Sequence, residues 1–231
     1  MKEGSPSAAR IEAALGELLP PGAAVAVWSG AMWSGPEGVE PPLGPSERDA
    51  VANAAPKRRI EFARGRHCAR QALGRAGWEG GLVEIPVGPE RQPVWPAGFT
   101  GSITHCEGLV AAVVAPPAGG VGAIGLDAEP ARPLPDDVRD LILTPEERAL
   151  PGAETATVVF SAKESVQKAV HPRSGVWLDF LDVVLTLDRE RGTFRAVPAP
   201  GASMTTPEVD ALVGRYLLVE GFVISLAYLP G

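Results

Sequence analysis

Apolar residues recur three and four positions apart over residues 7–19, at Ile11, Leu15, Leu18 and Leu19, which predicts a short amphipathic helix. A strand is expected from Ala23 to Trp28, and a proline- and glycine-rich loop from about Ser34 to Pro45. Residues 46–76 read as helical: Ser46 can cap, alanine, arginine and leucine dominate, and Gly77 stops the pattern. Further strands are expected at 82–87 and 109–115. The Pro-Pro-Ala-Gly-Gly segment at 116–120 breaks the pattern near the midpoint, as a joint between an N-terminal subdomain, 1–116, and a C-terminal one, 117–231. No short repeat stands out.

The second half opens with a strand from Val121 to Asp127 and a proline-rich loop at 130–135. Thr144, Pro145 and Glu147 form a helix start, with a capping threonine and a glutamate three residues on. Another helix covers about 155–170, and strands follow at 181–188, 193–197 and 215–229, with Glu220-Gly221 as a turn between the last two. Each half offers a helix and antiparallel strands. The fold class expected is α+β, a pair of similar subdomains, each a small antiparallel sheet packed with helices.

Composition narrows the function. With 231 residues, 45% of them hydrophobic, the chain can bury a sizeable core, while Gly (27) and Pro (24) imply many loops. A net charge of -7 argues against wholesale binding to nucleic acid or an anionic membrane. Cys68 and Cys106 cannot make a disulfide framework, and three histidines supply no zinc-type cluster. The opening MKEGSPSAAR lacks a signal peptide's apolar core, and the run Leu109 to Ala115 is too short to span a bilayer, so a cytoplasmic location is expected.

Four stretches carry candidate chemistry. In IGLDAEP (124–130), Asp127 and Glu129 share one face of a strand while Ile124 and Leu126 pack. Paired carboxylates repel unless a cation lies between them, and a hard divalent ion suits such a set; two solvated acids at a strand end are the plainer reading. In FSAKESVQKAV (160–170), Glu164 and Lys168 are four apart on one helix face, and Lys163 points about 100° away. They fit a surface ion pair or, beside a carboxylate-bound metal, a base and a phosphate-neutralising lysine. From Lys57 to Arg75, seven basic residues (Lys57, Arg58, Arg59, Arg64, Arg66, Arg70, Arg75) stand against one acid, Glu61, as an anion-binding feature or a solvated face. In VWPAGFTGSITHC (94–106), Gly98 and Gly101 permit a turn while Ser102, Thr104 and His105 offer donors to an anion.

In this order and spacing, RRIEFARGRHCAR (58–70), WPAGFTGSITH (95–105), IGLDAEP (124–130) and FSAKESVQK (160–168) resemble the 4'-phosphopantetheinyl transferases of the surfactin-synthetase (Sfp) type, especially the enterobactin-synthetase-component-D branch. The resemblance implies a monomeric pseudo-dimer of two α+β halves that binds coenzyme A in the cleft between them. Such an enzyme moves the phosphopantetheine arm to a serine of an apo acyl or peptidyl carrier protein and releases adenosine 3',5'-bisphosphate. By motif position, Asp127, Glu129 and Glu164 match the magnesium site, where manganese can substitute. Glu164 also matches the base, and Lys163 and Lys168 match phosphate-side lysines, with Lys168 catalytic. Arg58, Arg66 and His105 match contacts to the nucleotide and its phosphates, with Ser102 and Thr104 beside them and Arg91 as the basic residue before the Trp-Pro pair. The carrier is expected to dock around 130–160, near Leu141 and Leu143. Competing readings are a magnesium-dependent phosphohydrolase or nuclease, and a coenzyme A-binding module without turnover.

Overall fold

The computed structural model describes residues 6–30 and 41–231, so residues 34–40 of the expected loop lie outside the described residues. The chain divides into two compact units, Met1–Gly119 and Gly120–Gly231. In the first, α1 (Ala8–Gly16), β1 (Ala24–Ser29), α2 (Pro45–Ala50), α3 (Pro56–Arg75), β2 (Thr100–Cys106) and β3 (Leu109–Ala115) follow in order. Their antiparallel sheet has the strand order β1-β3-β2. Every residue of the central strand β3 is buried, which explains its unbroken apolar run. The long helix α3 packs on β1 and β3 through Cys68, Ala69, Ala72 and Leu73, against Ala26, Trp28, Val110 and Val114.

Three local expectations change here. The single helix expected at 46–76 is two helices, because Pro56 starts α3 at its first turn and holds Ala55 extended (ψ 151°), ending any continuous ladder. Residues 82–87 form no strand beyond one bridge, Val87 to Pro93. Side chains take the backbone bonds instead: the Ile85 amide donates to Glu47 Oε1 at 2.9 Å, and its carbonyl accepts from Arg66 Nε at 2.7 Å. Of the two glycines expected to permit a turn, Gly98 does (φ 81°), whereas Gly101 and the donors after it lie on an edge strand, 100–106, paired with β3.

In the second unit come β4 (Val121–Pro130), α4 (Asp136–Ile142), α5 (Pro145–Arg148), α6 (Thr155–Ser174), β5 (Val183–Asp188), β6 (Thr193–Pro198), α7 (Glu208–Ala211), β7 (Val213–Val219) and β8 (Phe222–Pro230). The antiparallel order is β4-β8-β7-β6-β5, and the long segment 215–229 is a hairpin whose turn residues, Glu220 (φ 49°) and Gly221 (φ 81°), are both left-handed. Helix α6 lies across β4 and β8, burying Val159, Ala162, Val166 and Ala169. It approaches β4 so closely at Gly125 that a Cβ there would meet the Ser165 carbonyl oxygen at 2.0 Å. That approach lets a lysine one turn further along α6 reach β4. The one-turn helices α5 and α7 and the seven-residue α4 are too short to carry periodicity, and α4 and α7 were not expected.

The structure also corrects the absence of a repeat. Leu43-Gly44-Pro45-Ser46-Glu47-Arg48 and Leu143-Thr144-Pro145-Glu146-Glu147-Arg148 share the pattern L-x-P-x-E-R. Each starts a short helix whose glutamate bonds back to the N-cap amide, and each arginine bonds the leucine carbonyl. At six residues, four of them identical, the repeat is too short to register without the shared geometry.

Candidate active site

β4 and α6 bring Asp127, Glu129, Glu164 and Lys168 together. Lys168 Nζ lies 2.6 Å from Asp127 Oδ1 and 3.3 Å from the Leu126 carbonyl oxygen. Asp127 is buried, with its side chain 5% exposed, while that of Lys168 is 31% exposed, so the ammonium can meet a ligand without leaving the carboxylate. Burial, then the charge of Asp127, push Glu129 up to about 7, with Lys168 pulling the other way. Burial also raises Glu164, again opposed by Lys168. Three carboxylates thus gather around the Lys168 ammonium, with Arg132 also acting on Glu129.

Among the described residues, no three His, Cys, Asp or Glu side chains stand in an arrangement that would hold a metal ion as they are. The donor chemistry nevertheless fits one. Hard carboxylate oxygens, two of them with raised proton affinity from burial and mutual repulsion, suit a hard divalent cation.

Lys163 does not join this group. Its ammonium is buried against Glu147 Oε2 (2.7 Å) and the carbonyls of Ile142 (2.9 Å) and Phe180 (2.7 Å). The structure therefore corrects the expectation that it faces phosphate. Beside Glu164 a cavity of about 140 Å³ is walled by Gln167, Trp177, Leu178 and Phe180. Gln167 anchors that wall by accepting from the Leu178 amide at 3.0 Å. The wall was missed because a tryptophan and a glutamine in a loop carry no spacing signal, although Trp177, 67% exposed, is a large apolar surface that invites a partner.

In the first unit a cavity of about 240 Å³ gathers Arg58, Arg66, Arg91 and His105, with Glu61, Phe62 and Ile103 in its wall. Within it, Arg58 and His105 Nε2 lie in contact. Arg91 holds a left-handed backbone (φ 67°), unusual for an arginine, at the tip of a turn closed by Gly88 and Gln92. Ser102 and Thr104 do not line this cavity. On a strand they point opposite to Ile103 and His105, and both are buried.

The basic helix also proves less free than its composition implied. Arg66 is buried on the Ile85 carbonyl, Arg70 bonds both oxygens of Glu47 (2.9 and 3.0 Å), Arg75 pairs with Glu12 (2.8 Å) and Arg64 stacks 3.8 Å over Trp28. Arginines that looked alike in sequence are divided between clamps and cavity. Glu47 was the missed partner, and the L-x-P-x-E-R repeat was the signal for it.

Two helix-backed antiparallel sheets, the first unit's with a cationic cavity and the second unit's with a carboxylate–lysine cluster, make an α+β protein. Residues 46–115 match the family model of the 4'-phosphopantetheinyl transferase N-terminal domain, and 123–223 that of the 4'-phosphopantetheinyl transferase superfamily. The chain is 42% identical to the 4'-phosphopantetheinyl transferase Svp of Streptomyces mobaraensis over 194 residues, 79% of this chain and 77% of that one. It is 35% identical to PptT of Mycobacterium tuberculosis over 207 residues (84% and 88%), and 34% to enterobactin synthase component D of Salmonella typhi over 134 residues (54% and 53%). The chain belongs to the 4'-phosphopantetheinyl transferase superfamily, in its Sfp-type group. Members are transferases that act on carrier proteins with coenzyme A as substrate. No helix among the described residues is long and apolar enough to cross a membrane.

Proposed function

We propose that this enzyme transfers the 4'-phosphopantetheine arm of coenzyme A to a serine of an apo acyl or peptidyl carrier protein, with Glu164 as general base and Lys168 as the phosphate-side cation. The observation that carries this assignment is the Lys168–Asp127 pair, whose charges act on the raised carboxyls of both Glu129 and Glu164. A carboxylate whose proton affinity is lifted toward neutrality is a better base for a weak hydroxyl nucleophile, and Glu164 is lifted in that direction. Glu164 would take the serine proton as the serine oxygen bonds to the phosphorus bearing the pantetheine arm. The bond from that phosphorus to the bridging oxygen breaks, and adenosine 3',5'-bisphosphate leaves with the electron pair. Lys168, held by Asp127, offers its remaining N–H donors to the negative charge that grows on phosphate.

Asp127, Glu129 and Glu164 would hold a magnesium or manganese ion. When bound, it supplies Lewis-acid stabilisation of the diphosphate. Arg58, Arg91 and His105, with Arg66 behind them, would hold the nucleotide phosphates through charge-assisted bonds. Trp177, in the wall of the cavity that Glu164 also lines, would offer the carrier an apolar surface together with Leu141 (69% exposed) and Leu181 (46%), since α4 packs on the turn Phe180–Asp182. Leu143 is not part of it: at 2% exposure it belongs to the core. We further propose a monomer working in the cytoplasm, apart from nucleic acid and membrane, in keeping with the net charge of -7.

The test is incubation with coenzyme A, magnesium and a panel of apo carrier proteins, read by intact mass. One added phosphopantetheine per carrier is expected. Release of phosphate or nucleotide with no change in carrier mass would instead indicate a hydrolase.

A further inference from the structure

Lys163 adjoins the proposed base, yet its ammonium is fully engaged elsewhere. It has three N–H donors. Three acceptors meet them, Glu147 Oε2, the Ile142 carbonyl and the Phe180 carbonyl, all within 2.9 Å. The Lys163 and Glu147 side chains are only 3% and 1% exposed, so no donor is left to reach a phosphate. Glu147 is as firmly held: the amides of Thr144 (2.9 Å) and Leu185 (2.7 Å) donate to it as well. One ammonium therefore ties α6 to the end of α4, to α5, and to the wall of the cavity beside Glu164.

A helix pinned at one position has its roll set at all others. With about 100° per residue, fixing Lys163 inward places Glu164 about 100° and Lys168 about 140° around the axis. The first unit contains the same device: buried Glu47 accepts from the amides of Gly44 and Ile85, and Arg70 of its long helix bonds both its oxygens. We infer that Lys163 and Glu147 form a positioning clamp, which sets the roll of α6 and the seat of Phe180 and so aims Glu164 and Lys168, and that Lys163 is not a phosphate ligand. This assignment rests on the proposed function for what is aimed, and on the geometry alone for the clamp.

The test compares Lys163→Met, Glu147→Gln and the double variant with the wild type, by coenzyme A affinity in calorimetry, by kcat on an apo carrier, and by amide hydrogen exchange. A clamp predicts that both single variants lose ten- to a hundredfold in kcat and keep their coenzyme A Kd within twofold. Both should exchange faster across 155–174 and around Phe180, and the double variant should be no worse than the poorer single one, because the two residues act as a unit. A coenzyme A Kd raised tenfold or more in Lys163→Met, with Glu147→Gln behaving as wild type, would overturn the clamp and restore a phosphate ligand. If Lys163→Met does not fold, Glu147→Gln decides alone, since it keeps the ammonium: lost kcat at unchanged Kd supports the clamp, and wild-type kcat refutes it. If the wild type modifies no carrier, the proposed function fails, and the exchange rates of α6 still decide: faster exchange in both variants upholds the clamp, unchanged exchange removes it.

Discussion

Glu47 and Glu147 hold the same post in their respective units. Each is the third residue of a short helix, each is almost wholly buried, and each accepts from its own N-cap amide. Each also accepts from the amide of the residue thirty-eight positions on, Ile85 or Leu185, and from a cation of the long helix, Arg70 or Lys163. A buried carboxylate is tolerated only where its charge and lone pairs are met, and in both units all are met by the pieces that must be held together. The repeated element is a fastening point.

Removing one such anion strands the cation and the amides that faced it. Glu47→Ala should therefore lower stability by about 3–5 kcal/mol, and Glu47→Gln by less, because the amide keeps one acceptor. Urea unfolding measures this, and a loss below about 1 kcal/mol in Glu47→Ala would show that the clamp is incidental.

The carboxylate cluster ties metal binding to pH. Glu129, ordinarily near 4.5 and here about 7, holds its proton in the folded state over a range where the unfolded chain has released it, and Glu164 shifts the same way. Their contribution to metal-free stability is therefore complete below about pH 4.5 and fades as pH rises toward 7. Magnesium needs the charged forms, so it should raise Tm clearly at about pH 8 and scarcely at about pH 5.5, releasing protons when it binds near neutrality. Equal shifts in Tm at both pH values would count against these ligands.

Arg58 and Arg66 share a cavity and differ in what else they hold. Arg58 is 44% exposed, so Arg58→Ala should raise the coenzyme A KM ten- to a hundredfold, roughly 1.4–2.8 kcal/mol, with Tm unchanged. Arg66 also satisfies the Ile85 carbonyl from a buried position, so Arg66→Ala should raise KM and lower Tm together. Steady-state kinetics with thermal melts separates the two, and identical behaviour would contradict the division of labour drawn between them.

Leu141 and Leu143 lie two residues apart and should respond in opposite ways. Leu141→Asp should raise the carrier KM several-fold and spare both Tm and the coenzyme A KM. Leu143→Asp puts an unpaired charge into the core and should unfold the second unit. A folded, selectively impaired Leu143→Asp enzyme would show that the docking surface was drawn in the wrong place.

The sequence by itself determined the family and most of the framework. The order of the four motifs, the apolar run of β3, the cap at Thr144 and the four-residue spacing of Glu164 and Lys168 are local signals, and local signals survive in one dimension. Only the tertiary structure decided which charged residues work outward and which work inward. Arg58 and Arg70, or Lys163 and Lys168, are chemically alike, yet Glu47 draws Arg70 inward and Glu147 draws Lys163 inward, while Arg58 stays part-exposed and Lys168, held by Asp127, does too. The same holds for Ser102 and Thr104, which β2's pairing with β3 turns away from the cavity, and for Ile85, whose strand-like residues make their backbone bonds to side chains. Strand and helix patterns are set by neighbours along the chain, but the partner of a charge is set by packing across it, and that pairing exists only once the units have folded.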